Sequence, residues 1–266
     1  MFKQYLNMEL TKNVLRWGNS AGILLPKEWA GKEARVILID RTLQIKKEVF
    51  DILTDYLEDI LGIYLVGSYA RNEQTESSDI DIIAISKSIK KEIISGKYHI
   101  SIVRLESIKK ALEKHPVLIL PRLYEAKSIV NSSLLEELRS VRVEKKSFRG
   151  FIEETKRIIK INRGFLQLDD TEKYSDLSSI YSLMLRLRGI FLINLVLGRK
   201  KYSNKDFLKW LSEELKEDIK DLWEGYKSVK ENRKTKIRIK IEKAMKLLEL
   251  LEKEIKKWQI EKRDWK

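Results

Sequence analysis

Leu65-Val66-Gly67-Ser68-Tyr69-Ala70-Arg71, a polar stretch, and then Ser78-Asp79-Ile80-Asp81-Ile82 decide how this chain is read. An apolar run ends in Gly-Ser, and the pattern predicts a short helix, a Glu/Thr/Ser/Asn loop and a second strand. That strand carries two aspartates two residues apart. Side chains alternate along a strand, so Asp79 and Asp81 project from one face while Ile80 and Ile82 face the core. Neighbouring carboxylates resist joint ionisation unless a cation lies between them, and a hard divalent ion such as Mg²⁺ suits carboxylate and phosphate oxygens. The Gly67-Ser68 turn, with backbone N–H groups free at a helix start, makes an anion site for phosphates.

The order strand, Gly-Ser, a spacer of about ten residues and Asp-apolar-Asp-apolar resembles the signature of the nucleotidyltransferase superfamily, which includes DNA polymerase beta and kanamycin nucleotidyltransferase. The resemblance covers residues 65–85 directly and 47–140 more loosely. It implies an α/β (α+β) core in which Asp79 and Asp81 hold Mg²⁺, two ions in the family pattern, against the triphosphate of an NTP, with ATP the expected one. Gly67 and Ser68 bind the outer phosphates, and Arg71 and Ser78 stand where many members have Arg and Ser. An acceptor hydroxyl attacks the α-phosphorus and pyrophosphate leaves. A small molecule, an RNA end and a protein hydroxyl would all use the same core. The family places a third carboxylate on the following strand, where this chain has Ser101; Glu125 is the first candidate to replace it as base and Glu106 the second. His99 shares the strand face with Ser101.

The chain of 266 residues is 43% hydrophobic and 35% charged, with no cysteine, two histidines (His99 and His115) and three prolines. No disulfide framework, thiolate chemistry or structural zinc site is expected. No signal-peptide pattern and no bilayer-length apolar run are read, so a cytoplasmic address without a membrane is expected. The longest apolar run, Gly189 to Gly198, reads as a buried helix. The Lys, Glu and Ile richness fits the ion-pair surfaces of thermophiles. The formal charge of +14 favours an anionic partner, and from Lys146 onward 31 Lys/Arg stand against 20 Asp/Glu.

Ahead of the core, Leu15-Arg16-Trp17-Gly18-Asn19-Ser20-Ala21-Gly22-Ile23-Leu24-Leu25-Pro26-Lys27 and Ala34 to Ile39 predict strand, turn, strand, a helical turn opened by Pro26, and a third strand. This segment, 1–46, is similar to AbrB/MazE-like swapped-hairpin modules, which implies a homodimer and, more remotely, DNA binding. Lys46 to Leu61 predicts an amphipathic helix, Tyr98 to Leu105 a strand, and Leu105 to Leu112 a helix broken at His115-Pro116. The core is expected over 47–140 and an all-α bundle over 141–266, with helices near 147–167, 174–199, 204–228 and 232–262. The bundle resembles the C-terminal helices of kanamycin nucleotidyltransferase-like and HEPN proteins. HEPN ribonucleases need an Arg-x4–6-His motif, and no histidine lies beyond His115, which argues against RNA cleavage.

Arg186 and Arg188 interrupt an apolar helix, and an ion pair or solvent is the favoured explanation over substrate phosphate. The run Lys227 to Lys246 has nine basic residues against two acidic. It reads as a solvated face first and an RNA or other polyanion contact second. Two further readings stand beside the enzyme: a non-catalytic nucleotide-binding regulator, and a DNA-binding antitoxin-like protein acting through the N-terminal module.

Overall fold

The near-unbroken apolar run Ile60–Val66 can be satisfied only by burial on both faces, and it forms β3, an inner strand of a five-stranded sheet. The computed structural model describes residues 10, 12, 14–37, 41–75, 78–168 and 174–260. They divide into two units, Met1–Ile45 and Lys46–Lys266.

In the first unit, β1 (Leu15–Trp17) and β2 (Ser20–Gly22) pair antiparallel around Gly18, whose φ of +58° suits glycine. The Ser20 hydroxyl donates to the Trp17 carbonyl (3.0 Å), and a 3₁₀ turn, Lys27–Trp29, follows Pro26. The expected third strand is not formed over 34–37, which pair with no strand among the described residues, and 38–39 lie outside the described residues.

The second unit begins within α1 (Arg41–Leu53), which ends earlier than the predicted helix. A 3₁₀ segment, Thr54–Asp59, takes the place of its last turns, and β3 has already begun at Ile60. A single helical turn, α2 (Gly67–Arg71), leads to β4 (Ile80–Ser86). Next come β5 (Lys91–Ser95), β6 (Tyr98–Arg104), α3 (Leu105–Lys114), α4 (Pro116–Glu125), β7 (Lys127–Val130) and α5 (Ser132–Arg139). The strand order is β5-β6-β4-β3-β7. Only β4 and β6 are parallel, in a register that sets Asp81 beside His99 and Ile83 beside Ser101.

The helical part comprises α6 (Arg149–Leu168), β8 (Tyr174–Ser175), α7 (Leu177–Leu197), α8 (Asn204–Leu215), α9 (Lys220–Lys230), β9 (Ile239–Lys240) and α10 (Ile241–Ile260). The single helix predicted over 204–228 is two, because Lys216 takes a left-handed φ of +54° and ends α8. The Ser203 hydroxyl caps α8 by accepting from the Asp206 N–H (3.0 Å). Against the expectation, α7 is long and apolar enough to cross a membrane by length and composition. Here its Ile180, Leu183, Met184, Leu187, Ile190 and Ile193 are completely buried among the other helices. One apolar core runs from Tyr64, Ile83 and Ile85 of the sheet through α3–α5 to Leu247, Leu251 and Trp258 of α10. The chain thus has the expected fold class, a mixed α/β sheet followed by a helical C-terminal region.

Candidate active site

The end of β3 turns into α2 at Gly67, where φ is +73°, a conformation that penalises any side chain. A Cβ there would lie 2.3 Å from Asp81 Oδ2. Glycine is therefore required twice: for the backbone, and for the space the Asp81 carboxylate fills. Across the sheet Val66 is in register with Asp81, so the turn and the aspartate meet by strand pairing alone.

The Gly67 N–H is not free, as a bare helix start would leave it; it donates to Glu125 Oε1 (2.9 Å). Arg71 Nη1 donates to Glu125 Oε2 (2.7 Å), and Arg71 Nε to Glu73 Oε2 (2.8 Å). Burial works against the Arg71 charge, but Glu125 and Glu73 outweigh it and hold its pKa above the ordinary arginine value. Glu125 thus reaches the turn from the C-terminal end of a helix, since the apolar stretch before it forms α4 and only Lys127–Val130 forms a strand. Glu106 stands on the first turn of α3, largely exposed and paired with Lys110 (2.6 Å). The Ser68 hydroxyl has no hydrogen bond among the described residues. Ser78 closes the loop before β4, its hydroxyl accepting from the Thr75 N–H (2.8 Å).

Asp79 directly precedes β4, and Asp81 lies within it. Burial raises the Asp81 pKa and Asp79 adds to the rise, against the opposing pull of Arg122, His99 and Lys230. His99 Nδ1 is 3.7 Å from Asp81 Oδ1, and its Nε2 is 3.3 Å from Glu92 Oε2. The Ser101 hydroxyl donates to the same Glu92 oxygen (2.8 Å). The position lacking an acid is therefore bonded to one from the neighbouring strand. Sequence reading missed Glu92 because residues 86–92 are dominated by lysine and serine; the signal was the β-branched pair Ile93-Ile94 that follows.

From the helical part, Asn204 donates its backbone N–H and side-chain amide to the two Glu73 oxygens (2.9 and 3.0 Å). Tyr202 donates to Asn204 Oδ1 (2.8 Å), and its ring is approached by Arg71 at 5.4 Å and Arg188 at 4.7 Å. Arg186 finds the expected ion pair, with Glu154 at 3.0 Å; among the described residues Arg188 bonds to the hydroxyls of Tyr202 and Tyr226. Among the described residues no three Asp, Glu or His side chains converge on one point. Any cation here would draw its remaining ligands from substrate or water.

The family model for the nucleotidyltransferase domain matches residues 46–165. A candidate protein adenylyltransferase of Methanocaldococcus jannaschii is 30% identical over 107 residues, which is 97% of that protein and 40% of this chain. The chain belongs to the nucleotidyltransferase family. A second candidate protein adenylyltransferase of the same organism is 29% identical over 144 residues, 94% of it and 53% of this chain. Among solved structures, a spectinomycin adenyltransferase from Enterococcus faecialis, determined with ATP and spectinomycin, has a TM-score of 0.45 at 15% identity. It covers 81% of this chain and 99% of its own. A nucleotidyltransferase-like protein from Exiguobacterium sibiricum has a TM-score of 0.36 at 12% identity, covering 81% and 75%. As a nucleotidyltransferase, the chain presents a carboxylate, a tight glycine turn and a fixed arginine at one end of its inner strands.

Proposed function

We propose that this nucleotidyltransferase moves AMP from ATP to a hydroxyl group of a protein, releasing pyrophosphate. The observation that carries the nucleotidyl-transfer reading is the seat of Asp81 against Gly67, a space only glycine leaves open. The two archaeal relatives, as candidate protein adenylyltransferases, favour a protein acceptor over a small molecule or an RNA end.

Asp79 and Asp81 fit a divalent cation, since both offer hard oxygen ligands and Asp81 gains from a positive neighbour that relieves its raised pKa. They would hold Mg²⁺, which supplies charge neutralisation on phosphate oxygens. Ser68 offers its hydroxyl to the phosphates, while Glu125 and Glu73 fix Arg71 at the turn. The acceptor oxygen forms a bond to the α-phosphorus as the bond to the bridging oxygen of pyrophosphate breaks, its electron pair leaving on pyrophosphate. The hydroxyl's proton passes to a carboxylate at the site. Glu125, the sequence candidate for that step, would first have to release Gly67 N–H or Arg71.

The test is incubation of the protein with α-labelled and γ-labelled ATP, Mg²⁺ and cell extract. Label from the α-phosphate alone should enter protein, and Asp79→Asn or Asp81→Asn should lower the rate roughly a thousandfold or more. Label confined to small molecules overturns the protein acceptor; wild-type turnover in both variants overturns the site. The Asp81→Asn protein should stay folded. An acid whose folded pKa is raised binds more protons folded than unfolded, so its charge destabilises the fold as pH rises. Removing it should leave the midpoint of thermal unfolding at neutral pH unchanged or slightly higher.

A further inference from the structure

Glu125 is an acid at the unfavourable end of a helix. It is the last residue of α4, where the final carbonyls lack partners within the helix and carry the negative end of its dipole. A carboxylate added there is disfavoured, yet the Gly67 N–H and Arg71 both depend on it. The helix is also weakly closed. Pro121 removes one of its internal hydrogen bonds, and Ala126, at φ −56° and ψ 141°, leads straight into β7 without a left-handed cap.

Arg139, the last residue of α5, supplies what α4 lacks. Its Nε donates to the Leu123 carbonyl (2.8 Å), and its Nη2 to the carbonyls of Tyr124 (3.4 Å) and Ala126 (2.6 Å). These residues flank Glu125 on both sides in the chain. Nη1 is left for Glu136, an exposed neighbour on α5, at 2.5 Å. One cation therefore meets the negative ends of two helices, where a positive charge is stabilising. The guanidinium fork spans several carbonyls at once, which the single ammonium of a lysine does less well.

We infer that Arg139 is a positioning residue for nucleotidyl transfer. By clamping the carbonyls on either side of Glu125, it holds that carboxylate against the Gly67 N–H and Arg71, and so keeps the turn that seats Asp81 in shape. Among the described residues its hydrogen bonds go to Leu123, Tyr124, Ala126 and Glu136, so it acts on the turn through Glu125. This rests on the nucleotidyl-transfer reading above.

The experiment has two arms, both on full-length protein. In the first, amide hydrogen exchange is followed by NMR after isotope labelling of the eleven glycines. The Gly67 N–H reports the bond to Glu125, and the Gly189 N–H, inside α7, reports the rest of the fold. Arg139→Gln should raise the ratio of Gly67 to Gly189 exchange rates about tenfold or more. An equal change at both glycines, or none, overturns the inference. Arg139→Lys should raise the ratio to a lesser degree, and it decides the matter if Arg139→Gln does not fold.

The second arm is a double-mutant cycle in the labelled-ATP transfer assay. Arg139→Gln should lower transfer about tenfold in the wild-type background, and by less than about twofold once Glu125 is Gln. Losses that simply multiply overturn the inference. If the exchange ratio is unchanged while Asp81→Asn loses transfer, the clamp is wrong and the transfer reading stands. If the ratio rises as expected but wild-type protein labels no acceptor, the clamp stands and the transfer reading falls.

Discussion

Glu125 shows what a single side chain can hold in place. One oxygen fixes the Gly67 N–H and the other fixes Arg71, at 2.9 and 2.7 Å, with the carboxylate nearly buried. Removing one partner of a buried pair leaves the other charge uncompensated; Arg71 keeps Glu73, so the loss should fall below the full penalty. Glu125→Gln should cost about 2–3 kcal/mol in urea unfolding, and transfer should fall with it as the turn loosens. A stability within about 0.5 kcal/mol of wild type would show that the pair holds nothing. Asp79, Asp81, Gly67 and Ser68 are legible in sequence because their relation is local: one strand end, one turn, one period-two pair. The partners of Arg71 are not, since Glu125 lies 54 positions away and nothing in a local pattern says which acid an arginine will meet.

At the scale of elements, the turn between β3 and α2 carries the sharpest expectation. Gly67→Ala would strain a backbone at φ +73° by about 1 kcal/mol. Its methyl would also drive Asp81 from its place. The protein should remain folded by circular dichroism while transfer drops at least a hundredfold, about 3 kcal/mol of lost transition-state stabilisation. Near-wild-type turnover would mean that Asp81 has no need of this seat. Strand and helix identities were readable wherever the apolar period ran without interruption, as in β3, β4, β6 and α10. They failed where a backbone choice decided matters: a left-handed Lys216 divides α8 from α9, and the 3₁₀ segment Thr54–Asp59 shortens α1. Among the described residues 34–37 have no paired strand, and a β-prone sequence makes a strand only when a partner strand is at hand.

For the whole molecule, the described residues of the N-terminal unit are the part that does not close on itself. Trp17, Leu24, Val36 and Ile37 are more than half exposed, and no described apolar side chain in 10–37 is buried. A hairpin alone is marginal in water, so a second copy is the partner we propose. Light scattering should find the full-length protein dimeric and a chain beginning at Lys46 monomeric; a dimeric truncation, or a monomeric full-length protein, would place the contact elsewhere or nowhere. Between sheet and bundle the situation is the reverse. Arg188, Tyr202, Asn204, Glu73, Arg71, Glu125 and Gly67 form one hydrogen-bonded succession from the middle of α7 to the turn that grips Asp81. The seam between the two halves is stitched at the candidate site. A hybrid with a foreign bundle grafted after α5 would therefore inherit the aspartates but lose the stitch, and its catalytic turn would slacken unless residues 188, 202 and 204 travelled with it.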